Sequence, residues 1–260
     1  MRFESKVIEP SAPPPRRLKD AESRYDLGRM SLGRLVQVYF SYPAVLAYLA
    51  LSLAGGVAAV RLGALQLPVQ AGLAALATII AYPMIWYLLH RFVLHGRWLY
   101  RNPLTAKMWK RVHYDHHQKP QRMDVLFGSL TNTLPTIVIS AGVIGWLIGG
   151  PSIALVAVTT GLVFTCVYEF CHCIQHLNYA PKQGWLKTIK RLHMAHHFHN
   201  ETGNFGIISF WPDRLFGTHY PDVRARPRSA TVFNLGYDGE DAARYPWVAR
   251  LSGDGPPAQS

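Results

Sequence analysis

The sequence predicts an all-α, multi-pass membrane protein with four transmembrane helices and a histidine-rich helical cap on one side of the membrane. Three observations support this class. Only 16% of the 260 residues are charged and 49% are hydrophobic, whereas soluble domains carry about 25% charged residues. The charges are missing from three long stretches, and most of the twelve histidines cluster just outside those stretches.

The predicted spans follow from the stretches that contain no Asp, Glu, Lys or Arg, which are residues 35–60, 62–89 and 125–168. A bilayer-spanning helix needs about 20 apolar residues, so the third stretch is long enough for two spans. Gly149-Gly150-Pro151 predicts a turn inside it. The expected spans are 40–60, 66–89, 127–148 and 151–171. Buried helices of a soluble α-helical protein are the alternative, but such long charge-free runs fit a small soluble core poorly.

The basic residues predict the orientation of these spans. Residues 1–34 hold eight Lys or Arg, residues 90–124 hold eight and residues 170–260 hold ten, which leaves Arg61 between the first two spans. The positive-inside rule makes the side with 26 of the 27 basic residues cytoplasmic. Both termini and the histidine groups then face the cytoplasm. A net charge of +12 could also suit nucleic acid, but charges dispersed beside four spans favour anionic lipid headgroups, and no nucleic-acid partner is expected.

The same pattern divides the chain into three parts. Residues 1–34 are expected to form a partly flexible cytoplasmic N-terminal segment, residues 35–222 the membrane domain, and residues 223–260 a C-terminal cytoplasmic tail. Aromatic residues near the expected membrane surface are typical of interfacial anchors. These are Trp98, Tyr100, Trp109, Trp185 and Trp211.

Ten of the twelve histidines fall into four groups near the cytoplasmic ends of the predicted spans. The groups are His90 with His95; His113, His116 and His117; His172 with His176; and His193, His196 and His197. On an α-helix, positions i, i+3 and i+4 share one face, so each HXXHH group can present three imidazoles together. Five residues correspond to about 140° of rotation. His90 and His95 are therefore expected to bind two different metals, or to lie on a helix that breaks near Gly96.

A shared metal is the economical explanation for so many imidazoles, because unpaired polar groups at membrane depth are costly. A structural zinc ion takes four ligands, often including thiolate, so ten histidines exceed that need. If the ten histidines are divided between two metals, each metal has five ligands and a sixth octahedral position stays open. Imidazole is a ligand that suits iron. The cap is thus expected to hold a dinuclear iron site with O2 as co-substrate.

Other metal sites fit the sequence less well. A ferritin-like carboxylate site needs two Glu-x-x-His motifs, and only Glu169 to His172 is present; no HExxH motif occurs. A bis-histidine haem would use isolated histidines within facing spans. Cys171 and Cys173 could ligate, but small buried apolar roles are favoured. Glu169 shares a face with His172 and His176, so it is either a hydrogen-bond acceptor that orients a ligand imidazole or a solvated carboxylate at the helix end.

Taken together, the ordered motifs resemble the fatty acid hydroxylase/sterol desaturase superfamily, and most closely its fatty acid 2-hydroxylase branch. The motifs are HRFVLH (90–95), HYDHH (113–117), YEFCHCIQH (168–176), HMAHH (193–197) and GNFGIISFWPDRLFGT (203–218). The resemblance covers roughly residues 80–220. It implies a four-span enzyme with a cytoplasmic non-haem di-iron centre and carries over all ten grouped histidines as iron ligands. There are two departures: the eukaryotic 2-hydroxylases of the branch carry an N-terminal cytochrome b5 domain with an HPGG motif, which does not occur in this sequence, and Glu169 stands where Asp is expected.

The expected reaction is therefore O2-dependent hydroxylation of a lipid C–H bond, with the acyl chain of a fatty acid or sphingolipid, at carbon 2, as the leading substrate and lipid biosynthesis as the setting. The lipid is expected to enter from the bilayer. Neither GxGxxG after a strand nor a Cys-rich iron–sulfur motif is present. Electrons are thus expected from an external donor such as a ferredoxin, cytochrome b5 or a reductase.

Two alternatives remain. Within the superfamily, the substrate could be a sterol or carotenoid, or the outcome could be desaturation, because histidine spacing defines the metal and not the product. A non-catalytic metal-binding membrane protein or transporter is the alternative of another class. Transporters place polar ligands near the membrane midplane, whereas these spans are nearly devoid of them.

Overall fold

A computed structural model describes residues 25–127 and 130–252. Within these ranges the chain is helical and contains no β-strand, which confirms the predicted all-α class. Most of the expected N-terminal segment (1–24) and the end of the expected tail (253–260) lie outside the described residues. The α-helices are α1 (Leu32–Phe40), α2 (Pro43–Arg61), α3 (Pro68–Leu88), α4 (Pro103–Trp109), α5 (Asp115–Gln118), α6 (Met123–Leu126), α7 (Leu130–His176), α8 (Gly184–Phe198), α9 (Trp211–Leu215), α10 (Gly239–Arg244) and α11 (Trp247–Ser252).

Three helical segments are long and apolar enough to cross a membrane, by length and composition: Pro43–Arg61, Pro68–Leu94 and Leu130–His176. Many large apolar side chains on them are exposed, such as Leu53 at 71% and Leu147 at 80%. A continuous apolar surface of this kind is unfavourable in water and is typical of contact with lipid. The described residues therefore have the character of a membrane protein.

Helix α7 is interrupted where the sequence predicts a turn. Gly149 and Gly150 have non-helical backbone angles, and Gly150 has a φ of 75°, a left-handed conformation that glycine adopts without strain. The two halves of the helix pack against each other. A Cβ atom on Gly145 would lie 2.4 Å from the Ile153 carbonyl oxygen, and one on Gly161 would lie 2.9 Å from the Ile137 side chain. The chain therefore reverses direction at the glycine pair.

Helices α2 and α3 pack along α7 through small residues that let the backbones approach closely. An alanine-rich cluster with Ala59, Ala74 and Ala157 fills the contact near the glycine pair. Nearer the other end, the Tyr82 hydroxyl lies 2.9 Å from that of Thr165. This packing brings the last turns of α3 and α7 to the same end of the bundle, where the grouped histidines begin.

The remaining helices cover that end of the bundle. Tyr100 and Trp109 are fully buried there, at 0% and 1% exposure, because they pack with Leu235, Tyr237 and Val248 of the C-terminal region. The expectation that these two aromatics anchor the protein at the membrane surface is therefore wrong. Trp98, Trp185 and Trp211 are exposed, as anchors would be.

Candidate metal centre

The ten grouped histidines come together in two sets of five at this end of the bundle. Within each set, one nitrogen of each ring lies within 4.8 Å of the others. Cluster A comprises His90, His95, His113, His117 and His196, and cluster B comprises His116, His172, His176, His193 and His197. All are buried except His95, which is half-buried. The division into five and five agrees with the expectation from the sequence.

Each HXXHH motif contributes to both clusters. The outer residues His113 and His117 belong to cluster A, while His116 belongs to cluster B. On α8 the assignment is reversed, with His196 in cluster A and its neighbours in cluster B. The clusters adjoin, since the rings of His117 and His197 stack with centroids 4.2 Å apart. The geometry thus suits two ions held side by side.

π-helical turns position two of the cluster A residues. His90 lies in the turn Leu89–Leu94 and His113 in the turn Lys110–Tyr114. In the first, the His95 N–H donates to the His90 carbonyl oxygen at 3.0 Å, the i to i+5 pattern of a π-helix. The two imidazoles therefore face each other, with their Nε2 atoms 3.2 Å apart. Of the two alternatives, binding of different metals, which assumed α-helical geometry, is wrong because both residues lie in cluster A. The other, a helix that breaks near Gly96, is confirmed, since the helix ends at Leu94.

Three imidazole rings of cluster A are held by hydrogen bonds from Nδ1 to backbone carbonyls. The Nδ1 atoms of His90, His117 and His196 lie 2.6, 3.0 and 2.8 Å from the carbonyl oxygens of Phe205, Val232 and Gly203, respectively. A carbonyl oxygen can only accept, so each Nδ1 must carry the proton. The lone pair of each ring is then on Nε2, free to bind a metal.

Cluster B has no such carbonyl partners among the described residues. The Nδ1 atoms of His116, His176, His193 and His197 are buried without a hydrogen bond. The Nε2 atoms of His172 and His176 both face that of His193, at 3.1 and 2.9 Å. Buried nitrogens without partners are costly, and lone pairs directed at one another need a shared cation. The residues present therefore fit a metal ion.

Electrostatics also favours metal binding. Burial, reinforced by neighbouring imidazoles, lowers the pKa of His113, His193 and His197 well below its ordinary value. Burial likewise lowers the pKa of His117 to about 3. These rings are neutral at physiological pH, and the neutral form of histidine is the one that ligates metals.

Glu169 lies beside cluster B, as its helical register predicts. Its carboxylate is buried and Oε2 lies 3.7 Å from Nδ1 of His172. That oxygen has no hydrogen bond among the described residues, so the carboxylate is not solvated at the helix end. Cys171 and Cys173 are absent from both clusters and pack in apolar cores instead.

Two cavities meet beside the clusters. The inner one has a volume of about 70 Å³ and reaches His116, His172 and His193. The outer one, about 290 Å³, is mainly apolar and opens between α3, α4 and the start of α7. Four residues line both cavities, namely Trp86, Leu94, Val112 and Thr133.

Sequence reasoning missed the groups that orient the histidines and line the cavities. The carbonyls of Gly203, Phe205 and Val232 carry no side-chain signal, because any residue offers a carbonyl. Trp86 and Thr133 lie in predicted spans, where they resemble lipid-facing residues. The segment 203–218, which carries part of the family resemblance, is the signal in the sequence that points to the carbonyls of residues 203 and 205.

An apolar helical bundle that carries two adjoining sets of five histidines at one end, nine of the ten buried, has the donor groups of a metal-binding membrane protein. Within that class, this chain belongs to the fatty acid hydroxylase family, whose sequence model matches residues 75–218, more than half of the chain. This confirms the resemblance found in the histidine motifs.

The chain is similar to several named hydroxylases. The chain is 26% identical to dihydroceramide fatty acyl 2-hydroxylase FAH2 of Arabidopsis thaliana, over 62% of this chain and 66% of the relative. It is 27% identical to the ceramide very long chain fatty acid hydroxylase SCS7 of Saccharomyces cerevisiae, over 56% and 38%. It is also 25% identical to a beta-carotene hydroxylase of a Paracoccus species, over 48% and 73%.

Among solved structures, the fold is similar to that of full-length scs7p, in which only the hydroxylase domain is visible. The TM-score is 0.57 at 24% identity, and the match covers 74% of this chain and 69% of the other. In the sequence comparisons, the matched region spans less than two thirds of FAH2 and of SCS7. The solved structure supports the fold of this chain.

Proposed function

We propose that this protein is a membrane-bound, non-haem di-iron oxygenase that hydroxylates the acyl chain of a fatty acid or sphingolipid at carbon 2. The observation that carries this proposal is the arrangement of ten histidines, nine of them buried, in two adjoining sets of five. Family membership adds lipid hydroxylation as the reaction class. Relatives named as fatty acyl 2-hydroxylases support the position of the hydroxyl group.

Clusters A and B would each hold one iron ion through their five imidazoles, a ligand type that suits iron. Bound iron would supply O2 activation, so that one oxygen atom enters the C–H bond and the other leaves as water with two electrons and two protons from outside. The histidines are the groups that would hold the metals. Glu169 would accept a hydrogen bond from Nδ1 of His172 and orient that ring.

The side chains around the inner cavity would position the substrate and exclude water. Its wall combines the histidines with apolar residues such as Trp86, Leu126 and Ile207, so a C–H bond can lie next to the metals in a dry space. The outer cavity would admit the lipid sideways from the bilayer. Because Trp86 and Thr133 line both cavities, a single acyl chain can extend through both of them.

The polar groups of the outer cavity favour a substrate with a polar group close to the reacting carbon. The polar residues of its wall are Thr131, Asn132, Thr133 and Thr136, and Thr133 lies at the junction of the cavities. An amide or carboxyl group held there would leave the adjacent methylene nearest the histidines. Carbon 2 of an acyl chain has this relationship to its carbonyl group.

We also propose four spans, with both termini and the metal centre on the cytoplasmic side. The reversal at Gly149 and Gly150 supports dividing α7 into two spans. The distribution of basic residues supports the orientation. A basic face around the centre would suit an acidic external electron donor, which would be a ferredoxin, cytochrome b5 or a reductase.

The test is to express the chain in a host that lacks it and to compare membrane lipids by mass spectrometry. We expect lipids with one additional oxygen atom, located at carbon 2 by fragmentation, and about two iron ions per purified chain. His116→Ala in cluster B and His196→Ala in cluster A should each abolish the product, while His219→Ala, outside both clusters, should retain it. Full turnover by either cluster variant, or a pure active protein without iron, would contradict the proposal.

Carotenoid hydroxylation is the second candidate, favoured by the likeness to the Paracoccus enzyme. The two candidate functions are distinguished by expressing the chain in a host that makes β-carotene. Hydroxylated carotenoid with unchanged acyl lipids would identify the substrate as a carotenoid and not an acyl chain. This result would not contradict the proposed metal centre.

A further inference from the structure

We propose that Asp213 is a positioning residue for cluster A, and that cluster A consequently binds its metal ion more tightly than cluster B. The proposal rests on the two-metal centre proposed above. It concerns how the protein holds the two ions, and it assigns a role to a residue that neither binds metal nor lines a cavity.

Asp213 is completely buried and ties down the loop that carries two of the carbonyl acceptors. One carboxylate oxygen accepts from the backbone N–H of Phe205 and the other from that of Gly206, each at 2.8 Å. The Thr218 hydroxyl donates to the first oxygen at 2.7 Å. Charge-assisted hydrogen bonds to backbone N–H groups are stronger than neutral ones. They therefore fix the backbone at residues 205 and 206.

That same backbone faces the metal cluster on its other side. The Phe205 carbonyl accepts from Nδ1 of His90 at 2.6 Å, so Asp213 and His90 hold one residue from opposite directions. The Gly203 carbonyl, two residues earlier in the loop, accepts from Nδ1 of His196. A shift of the loop would release both rings at once.

The loop is built for close approach to Asp213. A Cβ atom on Gly206 would lie 2.2 Å from the Ser209 carbonyl oxygen and 3.0 Å from the Asp213 carboxylate. A Cβ atom on Gly203 would lie 2.4 Å from the Thr218 carbonyl oxygen. Between them, Asn204 has a φ of 55° and pairs through its side chain with the backbone of Tyr220 in both directions. Each contact restricts the loop to one position.

Cluster B has weaker support of this kind. Four of its Nδ1 atoms lack a hydrogen bond among the described residues, and the fifth, on His172, faces Glu169 at 3.7 Å. Partners that orient ligand histidines change metal affinity by about 10–100-fold. An ion in cluster A should therefore be the more tightly held, and Asp213 should affect that ion alone.

The experiment titrates the metal-free, full-length chain in detergent with Co²⁺ and follows the visible absorption of the bound ion. We expect two successive binding events in the unaltered protein. His95→Ala should remove the tighter event and His176→Ala the weaker one. Asp213→Ala should weaken the tighter event by about 10–100-fold and leave the weaker one unchanged.

Two further variants test whether the loss of metal binding results from misfolding. Asp213→Asn keeps the shape and one acceptor oxygen, so it should fold and show a smaller loss at the same site. Asp222→Ala removes an exposed carboxylate from the same region, whose bonds are to Arg224, and should leave both events unchanged. The melting temperature of each metal-free variant is measured alongside.

The possible results are distinct. A normal tighter event in a folded Asp213→Asn or Asp213→Ala variant would overturn the proposal, as would an equal loss at both sites or assignment of the tighter event to cluster B. A chain that binds no Co²⁺ would instead contradict the proposed metal centre itself.

Discussion

The Nε2 atoms of His90 and His95 lie 3.2 Å apart although the two residues are five positions apart in the chain. An α-helix would turn these rings away from each other by about 140°. The π-helical turn at Leu89–Leu94 brings them to one side. π-helical turns of this kind are frequent at functional sites, and here the local backbone determines which cluster the two residues share.

Gly96 should be required for this turn. A Cβ atom at Gly96 would lie 2.5 Å from the Phe92 carbonyl oxygen and 2.7 Å from the Trp98 ring. Gly96→Ala should therefore displace His95 and reduce the metal content of cluster A, with a loss of stability of about 1–3 kcal/mol from the overpacking. Gly33→Ala, where nothing lies within 4 Å of the added atom, is the matched control. Equal metal content in the two variants would exclude this role.

Filling the junction of the two cavities should block the substrate without affecting the metals. Val112 lines both cavities, so Val112→Trp should lower hydroxylation of long acyl chains by at least about tenfold, as an obstruction that costs 1.4 kcal/mol or more would. Iron content should be unchanged. Leu104→Trp, at a site that is 87% exposed, should retain activity. Normal turnover by the Val112 variant would show that the acyl chain reaches the histidines by another path.

The metal-free protein should lose stability in acid. Burial holds the pKa of His113, His193 and His197 below the ordinary value of about 6.5 and that of His117 at about 3. Below pH 6.5 the unfolded chain binds protons that the folded chain does not, so the stabilisation is complete above pH 6.5 and is lost as the pH falls towards the folded values. Melting temperatures from pH 8 to pH 4 check this, and a flat profile between pH 7 and pH 5 would contradict it.

Trp109 should contribute to the core and not to membrane anchoring. It is 1% exposed and packs with C-terminal residues such as Val248, so Trp109→Ala should destabilise the protein by about 3–5 kcal/mol. Trp185→Ala, at a side chain that is 56% exposed, should change the free energy of unfolding by less than about 0.5 kcal/mol. Unfolding in detergent compares the two. A loss for Trp109→Ala as small as that expected for Trp185→Ala would contradict this role.

The sequence by itself determined the features that depend on composition and local spacing. Long charge-free runs require apolar helices, because a backbone in lipid must satisfy its own hydrogen bonds. Gly149 and Gly150 interrupt α7 where the sequence predicts a turn, because the conformation there is one that glycine tolerates. The ten histidines could be selected as one set because so many imidazoles near predicted helix ends need a common partner.

Only the tertiary structure decided how that set is divided and supported. Neighbours such as His116 and His117 enter different clusters, because the assignment depends on how helices from distant parts of the chain are rotated against one another. The acceptor for His117 is the carbonyl of Val232, 115 residues away, and a carbonyl has no signature in the sequence. The burial of Trp109 likewise depends on the C-terminal region, which is distant in the sequence and packs against it. Local chemistry specified the groups, whereas long-range packing specified their partners.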